Sequence, residues 1–285
     1  MGSYSSKKHA ETTYYKITNE NEIHNGYQYE DGLNILDKPF EKEGSCVLGG
    51  LYFSDLRNIH EYAHYGCWLR EVTIPDDAQF VRDPDVNSVK FRADRIILGA
   101  RSYLYSMETL ELIGKYANTA FFNTLFVDAC LKGYIQLAKY CVKNGVDDFN
   151  DGFMVSCSNG HLELVQYCLV QGVDFVNDGL NAACSSGHLK VAMLCVKHGA
   201  DDFNEGLMMS CSNGHLELAK YCILAGAQFF SYGLYASCTN GHLTLAELCV
   251  RHGANNFADG LYAASTGGHD ELAKYCKKLM SSETV

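Results

Sequence analysis

The chain contains no run of 18 apolar residues, so nothing in it reads as a membrane-spanning helix. Its first ten residues, Met1 to Ala10, lack an apolar core and cannot form a secretory signal. Met1-Gly2 with Ser6 fits a myristoylation pattern only in part, and residues 1–11 read more simply as a flexible tail. Basic charge is short as well. Lys+Arg number 23 against 34 Asp+Glu, for a net charge of −11. Divided after residue 118, the halves hold 13 basic against 18 acidic residues and 10 against 16, so both are acidic. Broad binding to a phosphate backbone needs a basic surface, and neither half supplies one.

Thirteen cysteines are present, but they lack the pattern of a disulfide framework. Cys130, Cys157, Cys184, Cys211 and Cys238 recur every 27 residues, and so do Cys141, Cys168, Cys195, Cys222, Cys249 and Cys276. Side chains at fixed positions of a repeat, with no export signal, read as small buried apolar groups of a reduced intracellular protein. The 11-residue step within each unit is not a zinc-ligand spacing, and no cofactor or metal is called for.

The organising motif is Asn159-Gly160-His161-Leu162-Glu163-Leu164, which returns at 186–191, 213–218 and 240–245. Its glycines fall at 133, 160, 187, 214, 241 and 268, a step of 27 residues. A fixed period of this length marks a stacked array. The units begin at Thr124 and run to Val285. In the unit 151–177 the pattern predicts a short helix from about Gly152 to Asn159, a turn at Gly160-His161, and a second helix from Leu162 to Val170. Leu162, Val165, Tyr167 and Cys168 are expected to face neighbouring units. Gly172 and its counterparts are expected to end the second helix in left-handed conformation. Phe149, Phe203, Phe230 and Phe257 are expected to fill the gaps between units.

Residues 12–101 have a different texture. Tyr14 to Thr18 reads as a strand, Asn25-Gly26 as a hairpin turn, and Leu33 to Leu36 as a further extended segment. Ser45 to Phe53 reads as a buried strand interrupted by Gly49-Gly50, after which Ser54 would cap a helix through Tyr65. Trp68 to Ile74 alternates like a strand, and Phe91 to Leu98 looks like a closing one. This predicts a small α+β domain. Residues 102–123 read as a capping helix and linker, and 124–285 as an all-α helix-pair solenoid.

Gly214-His215-Leu216-Glu217-Leu218-Ala219-Lys220-Tyr221-Cys222 and Gly199-Ala200-Asp201 resemble the ankyrin repeat, in which such a segment joins a helix pair. The period here is 27 rather than about 33, and Asp-Gly-Leu or Asp-Gly-Phe replaces the usual Thr-Pro-Leu-His opening. The shorter unit implies short loops in place of a projecting hairpin. The whole arrangement is similar to the ankyrin-type proteins of giant amoeba-infecting viruses, which implies a viral protein acting in a host cell.

His161, His188, His215, His242 and His269 form a ladder. Spaced roughly 10 Å apart, about one helix diameter, they are too far apart to share an ion, and each is expected to bond the backbone of its own turn. Asp147 to Gly152 lacks the alternate oxygen ligands of a calcium loop and reads as turn. Recognition is better sought where units differ. The fourth position of the unit varies as Val127, Met154, Asn181, Met208, Tyr235 and Tyr262, and the fifth as Asp128, Val155, Ala182, Met209, Ala236 and Ala263. Met154, Asn181, Met208, Met209, Tyr235 and Tyr262 are therefore the candidate contacts with a protein partner along the concave, first-helix face. The alternative is that they pack under the return loops.

One enzymatic pattern competes. His24, then Gly50 to Asp55 and a helix toward Tyr65, resembles the His…Tyr arrangement of ADP-ribosyltransferases. The resemblance implies that His24 holds the nicotinamide ribose, that Tyr52 stacks on the nicotinamide ring, and that an acid such as Glu71 or Glu108 stabilises the developing cation. The residues favour a non-enzymatic scaffold that binds a partner protein, with no nucleic acid or membrane. A transferase delivered by the repeats is the alternative.

Overall fold

The computed structural model describes residues 13–282; the expected tail at 1–11 lies outside them. The chain divides into two compact units, Met1–Phe122 and Asn123–Val285.

The first unit is built on an antiparallel seven-stranded sheet. Its strands are β1 (Tyr14–Thr18), β4 (Gly32–Ile35), β5 (Leu51–Asp55), β6 (Trp68–Thr73), β7 (Phe80–Arg82), β8 (Phe91–Ala93) and β9 (Arg95–Tyr103), in the order β4-β9-β6-β1-β5-β8-β7. A separate hairpin pairs β2 (Ile23–His24) with β3 (Tyr27–Gln28). Its turn, Asn25-Gly26, has φ of 51° and 78°, the paired positive values that Asn-Gly accepts at least cost. Tyr29, Leu51, Phe53, Val72, Ala93, Ile96 and Leu98 form the core on one side of the sheet.

Three expectations for this unit need correcting. The strand over Ser45 to Phe53 begins only at Leu51, because the glycine pair is a close crossing. A Cβ on Gly50 would lie 2.7 Å from the Arg92 stem, and one on Gly49 would lie 2.7 Å from the Pro39 carbonyl. Ser54 is no cap. It is buried within β5 and donates to the Val89 carbonyl, while Asp55 accepts from the backbone N–H groups of Arg57 and Asn58 ahead of a 3₁₀ helix, Ile59–Tyr65. The closing strand is two strands, broken at Asp94, whose carboxylate accepts from the Gln79 N–H instead of continuing a ladder. The last strand runs on to Tyr103. Ser106 then caps α1 (Met107–Gly114), its side chain accepting from the Thr109 N–H.

The second unit is a run of helix pairs. The first helices are α2 (Thr119–Lys132), α4 (Asn150–Ser158), α6 (Val176–Ser186), α8 (Phe203–Asn213), α10 (Phe230–Asn240) and α12 (Phe257–Thr266). The second helices are α3 (Ile135–Lys143), α5 (Leu162–Gln171), α7 (Leu189–Lys197), α9 (Leu216–Ala225), α11 (Leu243–Arg251) and α13 (Asp270–Ser282). An all-α helix-pair solenoid thus follows the sheet domain.

The repeat positions explain why these helices form and stop. Gly187, Gly214 and Gly241 cap first helices with φ of 80–89°, and each returns its N–H to the carbonyl four residues back. Only a residue without Cβ takes that conformation freely. Gly172 also has positive φ, but with ψ 105° it leaves the helix extended rather than left-handed. The eleven repeat cysteines are all buried, and all thirteen are thiols. Thiols from successive units meet in pairs, Cys184 with Cys222 at 3.8 Å, and Cys211 with Cys249 and Cys238 with Cys276 at 3.7 Å. The hydrogen bond shared with its partner thiol, and then burial, holds each of the Cys222 and Cys249 thiols well above its ordinary pKa. The glycine that precedes the leucine of α8, α10 and α12 makes room for them, since a Cβ on Gly233 would stand 2.8 Å from the Cys249 sulfur.

Candidate functional site

The first helices α4, α6, α8, α10 and α12 pack in succession. A position that recurs once per unit therefore forms a stripe across them. At the fourth position Met154 is 38% exposed, Tyr235 45% and Tyr262 66%. Met208 and Met209 are half-buried. Asn181 is half-buried too, and its Oδ1 is out of solvent without a hydrogen-bond partner. The fifth position behaves differently toward the end of the array. Ala236 and Ala263 are buried, so variation there tracks packing space. Leu162, expected to face a neighbouring unit, is exposed, while Val165 and Cys168 are buried as expected.

The unit comparison overlooked three exposed aromatics, Phe175, Phe229 and Tyr232. A signal for them was available. Phe175 and Phe229 occupy a position held by Asp148, Asp202 and Asn256 in other units, and Tyr232 stands where others have Asp, Glu or Thr. The Phe229 and Tyr232 rings lie 5.9 Å apart and extend the stripe at α10.

The frame beneath the stripe is held by repeated polar contacts between units. His161, His188, His215 and His269 each place Nε2 3.0–3.1 Å from a carbonyl 30 residues earlier: Leu131, Ser158, Ser185 and Thr239. The expected bond to the histidine's own turn is thus corrected to a bond with the preceding unit. This is the reach that turns a local motif into a stacking contact. The loops are clamped similarly. Asn177 Oδ1 accepts from the N–H groups of Asp201 and Asp202, and Asn204 Oδ1 from those of Gln228 and Phe229. Among the described residues, no group of three or more His, Cys, Asp or Glu could hold a metal ion.

The first unit carries a cleft of its own. β1 pairs with β5 through Tyr14↔Asp55 and Tyr15↔Ser54 and no further, whereas it pairs with β6 along its whole length. Where β1 and β5 part, a cavity of about 330 Å³ opens, walled by Tyr52, Phe53, Ile59, Tyr62 and Tyr65. His24 lines it beside Tyr65, ring centroids 4.9 Å apart, and burial and then Lys16 push its pKa down to about 4. Tyr52 lines it as well, its hydroxyl donating to the Val47 carbonyl. Two of the three alternative catalytic candidates are therefore together. Glu71 is not with them. It is exposed on β6 and, with Glu108, lines a separate depression beside Tyr15 and Arg101. Among the described residues, no carboxylate lines the cleft that holds His24 and Tyr52.

Residues 153–232 match the family description "Ankyrin repeats (3 copies)". Protein R868 of Acanthamoeba polyphaga mimivirus, named as an ankyrin repeat protein, is 36% identical over 144 residues, which make up 50% of this chain and 72% of that one. The chain belongs to the ankyrin repeat family. Two further mimivirus proteins are similar. Uncharacterized protein R869 is 46% identical over 103 residues (34% of this chain, 71% of that one). R838, named as an ankyrin repeat protein, is 36% identical over 159 residues (50% of this chain, 57% of that one). Ankyrin repeats imply protein–protein interaction. In this ankyrin array the fixed residues are those that join one unit to the next, and the exposed, changeable ones lie on the first helices. None of the described helices is long and apolar enough to cross a membrane.

Proposed function

We propose that this ankyrin repeat protein is a non-enzymatic scaffold that binds a partner protein along the stripe Met154–Asn181–Met208–Tyr235–Tyr262, with Met209, Phe229 and Tyr232 beside it. The observation that carries the reading is the exposure of Met154, Tyr235 and Tyr262 at the same position of their units, with Met208 half-buried between them. The repeated cysteines are buried, and repeated histidines and loop asparagines bond to a neighbouring unit. Tyr and Met are favoured where an interface must bury area and adapt its shape. Thirteen thiols and mimivirus relatives support action in a reducing host compartment.

The test is to use the full chain as bait and compare it with Met208→Glu/Tyr235→Glu. A partner that the native chain retains and the variant loses, with thermal stability little changed, supports the stripe. A large fall in melting temperature would show that these residues are core and sink the assignment.

The transferase alternative has the shared cleft of His24 and Tyr52 in its favour and lacks a carboxylate there. Incubation with labelled NAD and a host lysate separates the two. Label transfer that disappears in Tyr52→Ala would overturn the scaffold reading.

A further inference from the structure

The cleft between β1 and β5 holds a nucleophile that neither reading of the chain uses. Lys16 is 2% exposed and lines the cavity, with its stem in β1 and its amine 2.9 Å from the Tyr52 carbonyl. On its other side the amine sits over the Tyr29 ring, 4.2 Å from the centroid. Among the described residues no carboxylate pairs with it; nearby Glu22 bonds Arg70 at 2.8 Å and Arg101 at 3.2 Å through Oε1. A buried lysine without a counter-ion is normally excluded from a stable core, since a charge out of water costs several kcal/mol. The usual escape is to bury the amine neutral, which leaves its nitrogen lone pair available. Burial here, opposed only in part by Glu22, draws the Lys16 pKa down to about 7.

The walls of the cavity that Lys16 lines define what can enter it. Tyr52, Phe53, Ile59 and Tyr65 present flat or apolar surfaces, and the volume suits a body of one or two rings. Tyr62 lines the same cavity, with its hydroxyl out of solvent beside Ser88.

We propose that this cleft binds small aromatic aldehydes or ketones and that Lys16 condenses with them. The neutral amine nitrogen attacks the carbonyl carbon, forming the C–N bond while the carbonyl π pair moves to oxygen and takes up a proton. The carbinolamine then loses its hydroxyl and the remaining nitrogen proton as one water. The product is an imine to Lys16. No oxidant, metal or second substrate is required, and addition of water reverses the step.

The experiment uses the full-length chain with substoichiometric benzaldehyde and cyanoborohydride at neutral pH, which reduces any imine to a stable benzylamine. Peptide mass spectrometry then locates the benzyl group. A lysine with pKa near 7 is about half neutral at that pH, against about one part in a thousand for an exposed one, so even a less basic amine should react at least ~10-fold faster. The expected result is benzylation of Lys16 ahead of the exposed Lys42 and Lys190, lost in urea and absent in Lys16→Met. Tyr65→Ala, which removes a half-exposed wall of the cleft, should slow labelling of Lys16 and leave Lys42 unchanged. Labelling of Lys16 no faster than that of Lys42, in a chain whose folding is verified by circular dichroism, overturns the proposal.

Discussion

The imidazole of His188 stands over Gly160 so closely that a methyl group on that glycine would lie 2.5 Å from Nδ1. The same ring reaches the Ser158 carbonyl through Nε2 at 3.1 Å. One unit's invariant histidine thus seals the turn made by the glycine of the unit before it. Gly160→Ala should cost about 1–2 kcal/mol for the left-handed backbone alone, and more for the displaced ring. Gly268→Ala, at φ 76° against 72° for Gly160, meets nothing within 4 Å and should show the backbone cost only. Urea denaturation of the two variants measures the difference. Equal losses would mean that the histidine contact contributes nothing.

A second expectation concerns Arg92 and Asp83. Both side chains are fully buried, 2.6 Å apart, and Arg92 also donates to the carbonyls of Glu41 and Glu43. Asp83 accepts from Ser45 Oγ and from the Cys46 N–H. Arg92→Met leaves the buried carboxylate only Lys90, 3.9 Å away, as a cation and should destabilise the first unit by up to roughly 3–5 kcal/mol. Adding Asp83→Leu should recover much of the loss, although residues 41–46 would lose their anchor. A double variant no more stable than Arg92→Met would contradict the pairing.

The cysteines should separate sharply by reactivity. Cys46 is exposed, and hydrogen bonds from Lys90 and then Ser45 lower its pKa, whereas the eleven repeat cysteines are buried. In the folded protein iodoacetamide should modify Cys46 first and spare the array until unfolding. Lys90→Met should slow the Cys46 reaction at neutral pH, because thiolate is the reacting form. Early modification of Cys211 or Cys249 in native protein would show that the array opens.

Lys16 also makes stability depend on pH. A lysine whose pKa falls on folding binds fewer protons in the folded chain than in the unfolded one. Between about pH 7, its folded value, and its ordinary value of 10.5, stability should therefore rise with pH. Below about 7 both states are protonated and the full cost of burial is present. Lys16→Met should remove that slope and raise the melting temperature at neutral pH. Trp68, the single tryptophan, reports the first unit by fluorescence. A lower melting temperature would mean that the bond to Tyr52 and the contact with the Tyr29 ring outweigh burial.

The repeat array was almost fully legible in the amino-acid order, because its interactions recur at fixed spacing. The glycine caps, the buried cysteines and the two helices of each unit all follow from a 27-residue period. The first unit was less so. Its strands at Tyr14–Thr18 and Trp68–Thr73 announced themselves by local pattern, but Ser54 looked like a cap and proved to be a strand residue. Nothing within a few residues of Ser54 encodes Val89, its actual partner.

Sequence alone therefore determined the family, the period and which residues each unit keeps. Tertiary structure decided three things that depend on contacts between distant segments. It directed each histidine to the preceding unit rather than to its own turn. It showed which variable positions reach solvent and which, like Ala236 and Ala263, fill space. It parted β1 from β5 after two residues, placing Lys16, His24 and Tyr52 around one cavity and leaving Glu71 outside it. Strand pairing fixes side-chain direction with a period of two, and no spacing in the chain records where a pairing ends.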